Sequence, residues 1–363
     1  MDPEIRAQFH PEPGLTYLDT ATYGLPPDRA VEALERAERE WRAGTGMWVE
    51  WDRQSGRARE AFARLMHVTP ARVALLPAAS VGVAVVAAAL QPADRVVTPR
   101  AEFRSVLYPL LVARDRGIDL VEVDDVDRLV DAIEPGTKLV ALSLVQMQTG
   151  RVLPINDIVD RAEQVGAQVL LDATHGIPFV PLDGVIDRLD YLVVAAYKHL
   201  LCPRGVAFMV LRDDHVGPLP PIVSSWRASD DPYRTFFGGP LSLAEGAAQY
   251  DASLPWHPWI AAAESLELLE DWQQAGALEA PIELARSLAA RLGIEWTGST
   301  LVCPQISDPD AVRAALTEHR IKAAFRGTAI RLSTHVYNDD ADIELAARAI
   351  GPLVARTPEA ART

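Results

Sequence analysis

Cysteine is nearly missing from this chain. Cys202 and Cys303 stand far apart, with no CxxC and no His/Cys grouping at zinc-ligand spacing. That excludes a disulfide framework and a thiolate metal centre, so no metal is expected and a reduced, cytoplasmic setting is. Long apolar runs are also absent: none approaches the ~18 residues of a membrane-crossing helix, and MDPEIRAQFH at the start has no apolar signal core, so a soluble chain is expected. Positive charge is short as well. A net charge of −15 over 363 residues opposes nucleic acid or an anionic membrane as partner. There is no internal repeat and no low-complexity tract. What remains is globular in composition, 49% apolar and 23% charged, and long enough for one large or two ordinary domains with a substantial core.

The most informative stretch runs from Val169 to Leu211. Three short apolar runs, Val169–Leu171, Tyr191–Ala196 and Val206–Leu211, are bounded by Gly, Pro and Asp and read as strands. Their near-continuous apolar character predicts strands buried on both faces, in a sheet covered by helices. Asp172, His175 and Lys198 fall at the ends of these runs, where ligands collect in an open α/β sheet. A lysine ending an apolar strand can form a Schiff base. An aspartate from the strand before it can hold a protonated ring nitrogen, and pyridoxal phosphate asks a protein for that pair.

D-A-T-H at 172–175, followed by Y-K-H-L-L-x-P-R-G from Tyr197, resembles the class V aminotransferase family of fold-type I pyridoxal-phosphate enzymes. That group includes cysteine desulfurases, kynureninases, isopenicillin-epimerase-like proteins and the lyase of ergothioneine synthesis. The resemblance implies a Schiff-base role for Lys198, a pyridine-nitrogen partner in Asp172, and a hydrogen bond from His175 to the cofactor's phenolic oxygen or to a carbonyl near it. It extends over about 15–350. The loop Thr20–Pro27 looks like the family's substrate-touching opening and puts Tyr23 beside substrate. Ala79 and Ser80 match its phosphate turn, with only the Ser80 hydroxyl surviving. Phe103, where the family stacks an aromatic on the pyridine ring, can stack but cannot relay a proton. Gln146 falls where a side chain meets the phenolic oxygen.

Further along, the family often has Ser or Thr where this chain has Ala195, which leaves Tyr197 and Ser80 with more of the phosphate binding. The stretch from Tyr250 to Trp256 is similar to a loop that crosses a dimer, with Ser253 as donor to the partner's phosphate. R-L-S-T-H-V-Y-N from Arg331 looks like the family's substrate-carboxylate clamp, a bidentate task suited to guanidinium. Cysteine desulfurases carry a nucleophilic Cys on a loop shortly before this arginine. Here residues 323–330 run almost straight into Arg331 without one, and Cys303 reads as buried.

The expectations are therefore specific. The fold is α/β, a mixed and mostly parallel sheet between helices, with a smaller α+β C-terminal domain. The large domain covers 15–255; 1–14 and 256–363 form the small one, the last residues, TPEAART, being frayed. The chain acts on a small amino acid, as a cytoplasmic homodimer with shared sites. Aminotransferase is the first expectation and a β-eliminating carbon–sulfur lyase the alternative; the nameable residues do not separate them.

Overall fold

The computed structural model describes residues 2–355, so the terminal TPEAART lies outside the described residues. The chain forms two compact units. The larger comprises Pro26–Val145 and Leu153–Asp271; the smaller takes in the described part of Met1–Leu25, Gln146–Val152 and Trp272–Thr363.

The larger unit is built on a seven-stranded sheet: β1 (Val73–Leu76), β2 (Arg95–Pro99), β3 (Asp119–Val123), β4 (Thr137–Ser143), β5 (Gln168–Asp172), β6 (Tyr191–Ala195) and β7 (Ala207–Leu211). Their order across the sheet is β1-β7-β6-β5-β4-β2-β3, and only β7 runs against the others. Valine, leucine and alanine fill these strands, and every residue of β1 and β7 is buried. That is the mostly parallel, doubly covered sheet the apolar runs predict. All strands but β7 therefore end on one edge of the sheet, and the turns that carry Ser80, Phe103, Asp172 and Lys198 all follow such ends.

Helix packing depends on one small residue. Helix Ala79–Ala89 follows β1 and lies directly on the sheet. A Cβ at Gly82 would stand 2.8 Å from Val193 Cγ1 and 3.1 Å from Leu76 Cδ1, so a side chain here would lift the helix and its first turn away from β1 and β6. Helix Trp48–Leu65 precedes β1 in the chain. Its buried face opens with Asp52 and Ser55 before it turns apolar at Ala58, so hydrophobic period alone could not show the first two turns.

The smaller unit is α+β. A parallel pair joins Thr16–Tyr17 to Ile321–Lys322, and Ala324–Arg326, Ala329–Ser333 and Leu301–Val302 form an antiparallel sheet. Leu284, Leu288, Val312, Ile330, Leu332 and Ile343 share its core. Helix Asp340–Ile350, unassigned from sequence, starts from a capping box between Asp339 and Asp342.

The unit boundaries fall elsewhere than the sequence placed them. Residues 15–25 go with the smaller unit because Thr16 pairs with Ile321. Residues 256–271 stay with the larger one, where Ile260 packs on Ala33 and Ala37. No helix among the described residues is long and apolar enough to cross a membrane.

Candidate active site

At the edge where the parallel strands end, β5 delivers Asp172 and β6 leads into the turn that holds Lys198. Both are about 5% exposed. Lys198 Nζ lies 3.0 Å from His175 Nε2, within hydrogen-bond distance. The same nitrogen stands 5.3 Å from the centre of the Phe103 ring and 5.7 Å from that of Tyr197. Phe103 keeps about a third of its surface exposed. Lysine, histidine and two aromatics named from sequence are thus gathered around one amine.

Asp172 is held by Thr174, whose N–H donates to its Oδ1 at 2.9 Å. The Thr174 hydroxyl in turn accepts from Ala195 N–H at 2.9 Å, tying β5 to β6 just before the lysine. Burial pushes the Asp172 carboxyl up; Thr174 hydrogen bonds and the Lys198 charge oppose that. A buried carboxylate with so little compensation gains from a cationic partner, and a protonated pyridine nitrogen is one. Tyr197 is half-buried, and burial raises its phenol pKa despite the Arg204 guanidinium 5.4 Å from its ring centre. Helix Ala79–Ala89 starts at Ala78 without a side-chain cap, which leaves first-turn N–H groups and the nearby Ser80 hydroxyl for an anion. A pyridine partner, a reactive amine, a stacking ring and a phosphate turn are all present, so these residues fit pyridoxal phosphate.

Three contributors were not singled out from sequence. Thr174 is one; any reading of D-A-T-H passes over it because its work is a hydrogen bond between strands distant in sequence. Glu102 is another: buried, it accepts from Phe103 N–H at 2.6 Å and Ser143 N–H at 2.7 Å, pinning the turn that carries Phe103 to the end of β4. Arg204 is the third. Ser253 is exposed and follows Asp251 and Ala252, which bond to Leu75 of β1.

In the smaller unit, Gln146 opens a turn in which its carbonyl accepts from Gly150 N–H at 2.8 Å. Arg331 is about 1% exposed. Its Nη2 donates to Thr22 Oγ1 at 2.7 Å and lies 3.9 Å from Asp19. Nε and Nη1 are buried with no hydrogen-bond partner among the described residues. Burial and the neighbouring Arg326 pull this guanidinium's pKa down to about 10. Two convergent, unsatisfied N–H donors on a buried cation suit a carboxylate. Tyr23, one residue past Thr22, is 42% exposed, and its carbonyl accepts from Tyr17 Oη.

The chain before Arg331 is a tight hairpin. Arg326 pairs with Ala329 across the two-residue turn Gly327-Thr328, and Gly327 has φ +61°, a left-handed conformation that favours glycine. Cys303, read from sequence as buried, is half-buried: it follows the short edge strand Leu301–Val302 and is not inside the core. Its thiol is still pushed up to about 12 by burial, against the pull of Arg331 and Arg326.

The Aminotransferase class-V family matches residues 16–294, and the chain belongs to that family. A probable cysteine desulfurase of Methanothermobacter thermautotrophicus is 28% identical over 221 residues, a match spanning 57% of this chain and 55% of that protein. The isopenicillin N epimerase of Streptomyces clavuligerus is 26% identical, with 96% of this chain and 98% of that protein covered. A solved structure of a C-DES variant with glycine covalently linked to its pyridoxal-phosphate cofactor superposes with a TM-score of 0.84 at 21% identity, over 96% of this chain and 99% of that one. The fold is fold-type I, and pyridoxal phosphate is the cofactor.

Proposed function

We propose that this protein transforms an α-amino acid as an aminotransferase. The observation that carries an amino-acid substrate is Arg331, a buried guanidinium with two donors unsatisfied. Bound pyridoxal phosphate supplies the electron sink for the charge left when the α-proton departs. Lys198 Nζ takes that proton as base and returns it as acid; His175, hydrogen-bonded to Nζ, orients the amine and accepts from it. Asp172 would pair with the ring nitrogen, Phe103 would cover the ring, and Ser80, Ala79 and Tyr197 would meet the phosphate. Gln146 and His175 would serve the phenolic oxygen, and Tyr23 would contact substrate. The tight hairpin without cysteine argues against a persulfide route.

An amino-acid panel assayed with and without a keto acid tests this directly. Turnover that needs the acceptor supports transamination; pyruvate formed without one means a β-eliminating lyase. Arg331→Lys keeps the charge but loses the planar fork, so kcat/KM should fall by roughly 1.5–3 kcal/mol, the scale of a hydrogen bond to a charged group. The cofactor's absorbance should not change. Loss of cofactor with kcat/KM of the reconstituted enzyme intact would reassign the arginine. The same reading includes a homodimer in which exposed Ser253 reaches the partner's phosphate; sedimentation of an active monomer at micromolar concentration would remove that part.

A further inference from the structure

Arg331 has a companion that the proposed role does not use. In the hairpin, Arg331 pairs with Ala324, and Arg326 lies two residues beyond Ala324 on the same strand. Alternation along a strand then puts Arg326 and Arg331 on one face, as diagonal neighbours. The side chains converge on one atom. Arg331 Nη2 is 2.7 Å and Arg326 Nη2 3.5 Å from Thr22 Oγ1, which places the two nitrogens at most 6.2 Å apart. The residues opposite the two arginines, Ala324 and Ala329, are small and carry no charge of their own.

The charges around this pair do not balance. Asp19 lies 3.9 Å from Arg331, while Arg326 has no carboxylate within ion-pair distance among the described residues; it bonds only its neighbour's carbonyl, Phe325 O, and the shared hydroxyl. The Cys303 thiol, which feels both guanidinium groups, stays neutral because burial raises its pKa. Two fixed cations face one carboxylate, in a chain whose net charge is −15. One α-carboxylate would balance the total charge, but it and Asp19 would both lie at Arg331, leaving Arg326 with no carboxylate of its own.

We propose that Arg326 is a specificity residue for a second anionic group, so that the substrate is an α-amino acid with an acidic side chain. This rests on the amino-acid reading above, with Arg331 on the α-carboxylate and Arg326 on the distal acid. The half-buried position of Arg326 gives its charge-assisted hydrogen bond more weight than a solvated one.

The test is binding to the holoprotein. L-glutamate and L-aspartate are titrated against L-glutamine and L-asparagine, followed by the cofactor's visible absorbance and by calorimetry. At least one acid should bind roughly tenfold or more tighter than its amide. Arg326→Gln should abolish that preference while amide affinity and cofactor spectrum stay as in the wild type; Arg326→Lys, a second variant in case the first folds poorly, should retain part of it. Acid and amide binding equally well, with Arg331→Lys weakening both, would overturn the role of Arg326 and leave the carboxylate clamp standing. If no amino acid perturbs the cofactor and Arg331→Lys changes nothing, the amino-acid reading itself falls, and this inference with it.

Discussion

Replacing Lys198 by alanine is expected to cut turnover by roughly 10³–10⁴-fold, the usual scale for losing a positioned acid–base group, or about 4–5.5 kcal/mol of barrier. No other side chain can substitute. The chain has three lysines, and Lys138 and Lys322 are solvent-exposed on strands, in contrast to the buried Lys198. His175 stays within reach of the vacated space, but its imidazole can neither form a Schiff base nor follow a migrating proton on a flexible stem. Folding should survive, because the mutation removes an amine that is costly to bury. Borohydride treatment followed by peptide mapping checks the assignment independently. The wild type should carry reduced cofactor on Lys198 alone, and the variant on neither remaining lysine. Label on Lys138 or Lys322, or a variant with kcat within tenfold of the wild type, would end the role given to Lys198.

The strands around this lysine were legible because fully buried strands leave continuous apolar runs. The run Val169–Leu171 lies inside the strand Gln168–Asp172, and Tyr191–Ala195 and Ala207–Leu211 each differ from their runs by one residue. Asp172, His175 and Lys198 stood out by their places at the ends of those runs, and Phe103 only through the family resemblance. Hydrogen bonds that join strands distant in sequence left no local mark. Thr174 to Ala195 and Glu102 to Ser143 fix the turns without any pattern in the residues nearby. The pairing of Arg326 with Arg331 was hidden differently. In sequence they are five apart, a separation that says nothing until the hairpin register puts them on one face. Unit boundaries failed because a two-residue strand, Thr16–Tyr17, decides where 15–25 belongs.

The second large effect is on stability and lies beside the candidate site. Arg227→Met is expected to destabilise the protein by about 3–5 kcal/mol at neutral pH, the cost of leaving a buried charge without its partner. Arg227, Asp52 and Asp251 are all nearly inaccessible. The Arg227 guanidinium donates to Asp52, and its Nε lies 3.3 Å from Asp251. Asp52 also accepts from Tyr233 Oη at 2.9 Å and Trp256 Nε1 at 3.3 Å, while Asp251 accepts from Leu75 N–H at 2.9 Å and pairs with Arg59. This cluster ties helix Trp48–Leu65 and β1 to the loops on either side of Ser253. Removing the arginine leaves two buried carboxylates and one cation. Burial already holds the Asp251 carboxyl above its ordinary value, with Arg59 and Arg227 pulling it down; without Arg227 it must rise further. A carboxyl whose folded pKa exceeds its unfolded one binds its proton more tightly in the folded state, so its penalty is absent below the unfolded pKa, grows as pH rises from there and is complete above the folded one. The gap between variant and wild type should therefore narrow as pH is lowered toward the ordinary carboxylate range. Adding Asp52→Asn to Arg227→Met should recover part of the loss, because one orphaned charge goes with the cation. Urea unfolding of the three proteins at several pH values reads both effects. A gap below about 1 kcal/mol, or one that widens on acidification, would mean that packing and not ionic pairing holds these loops.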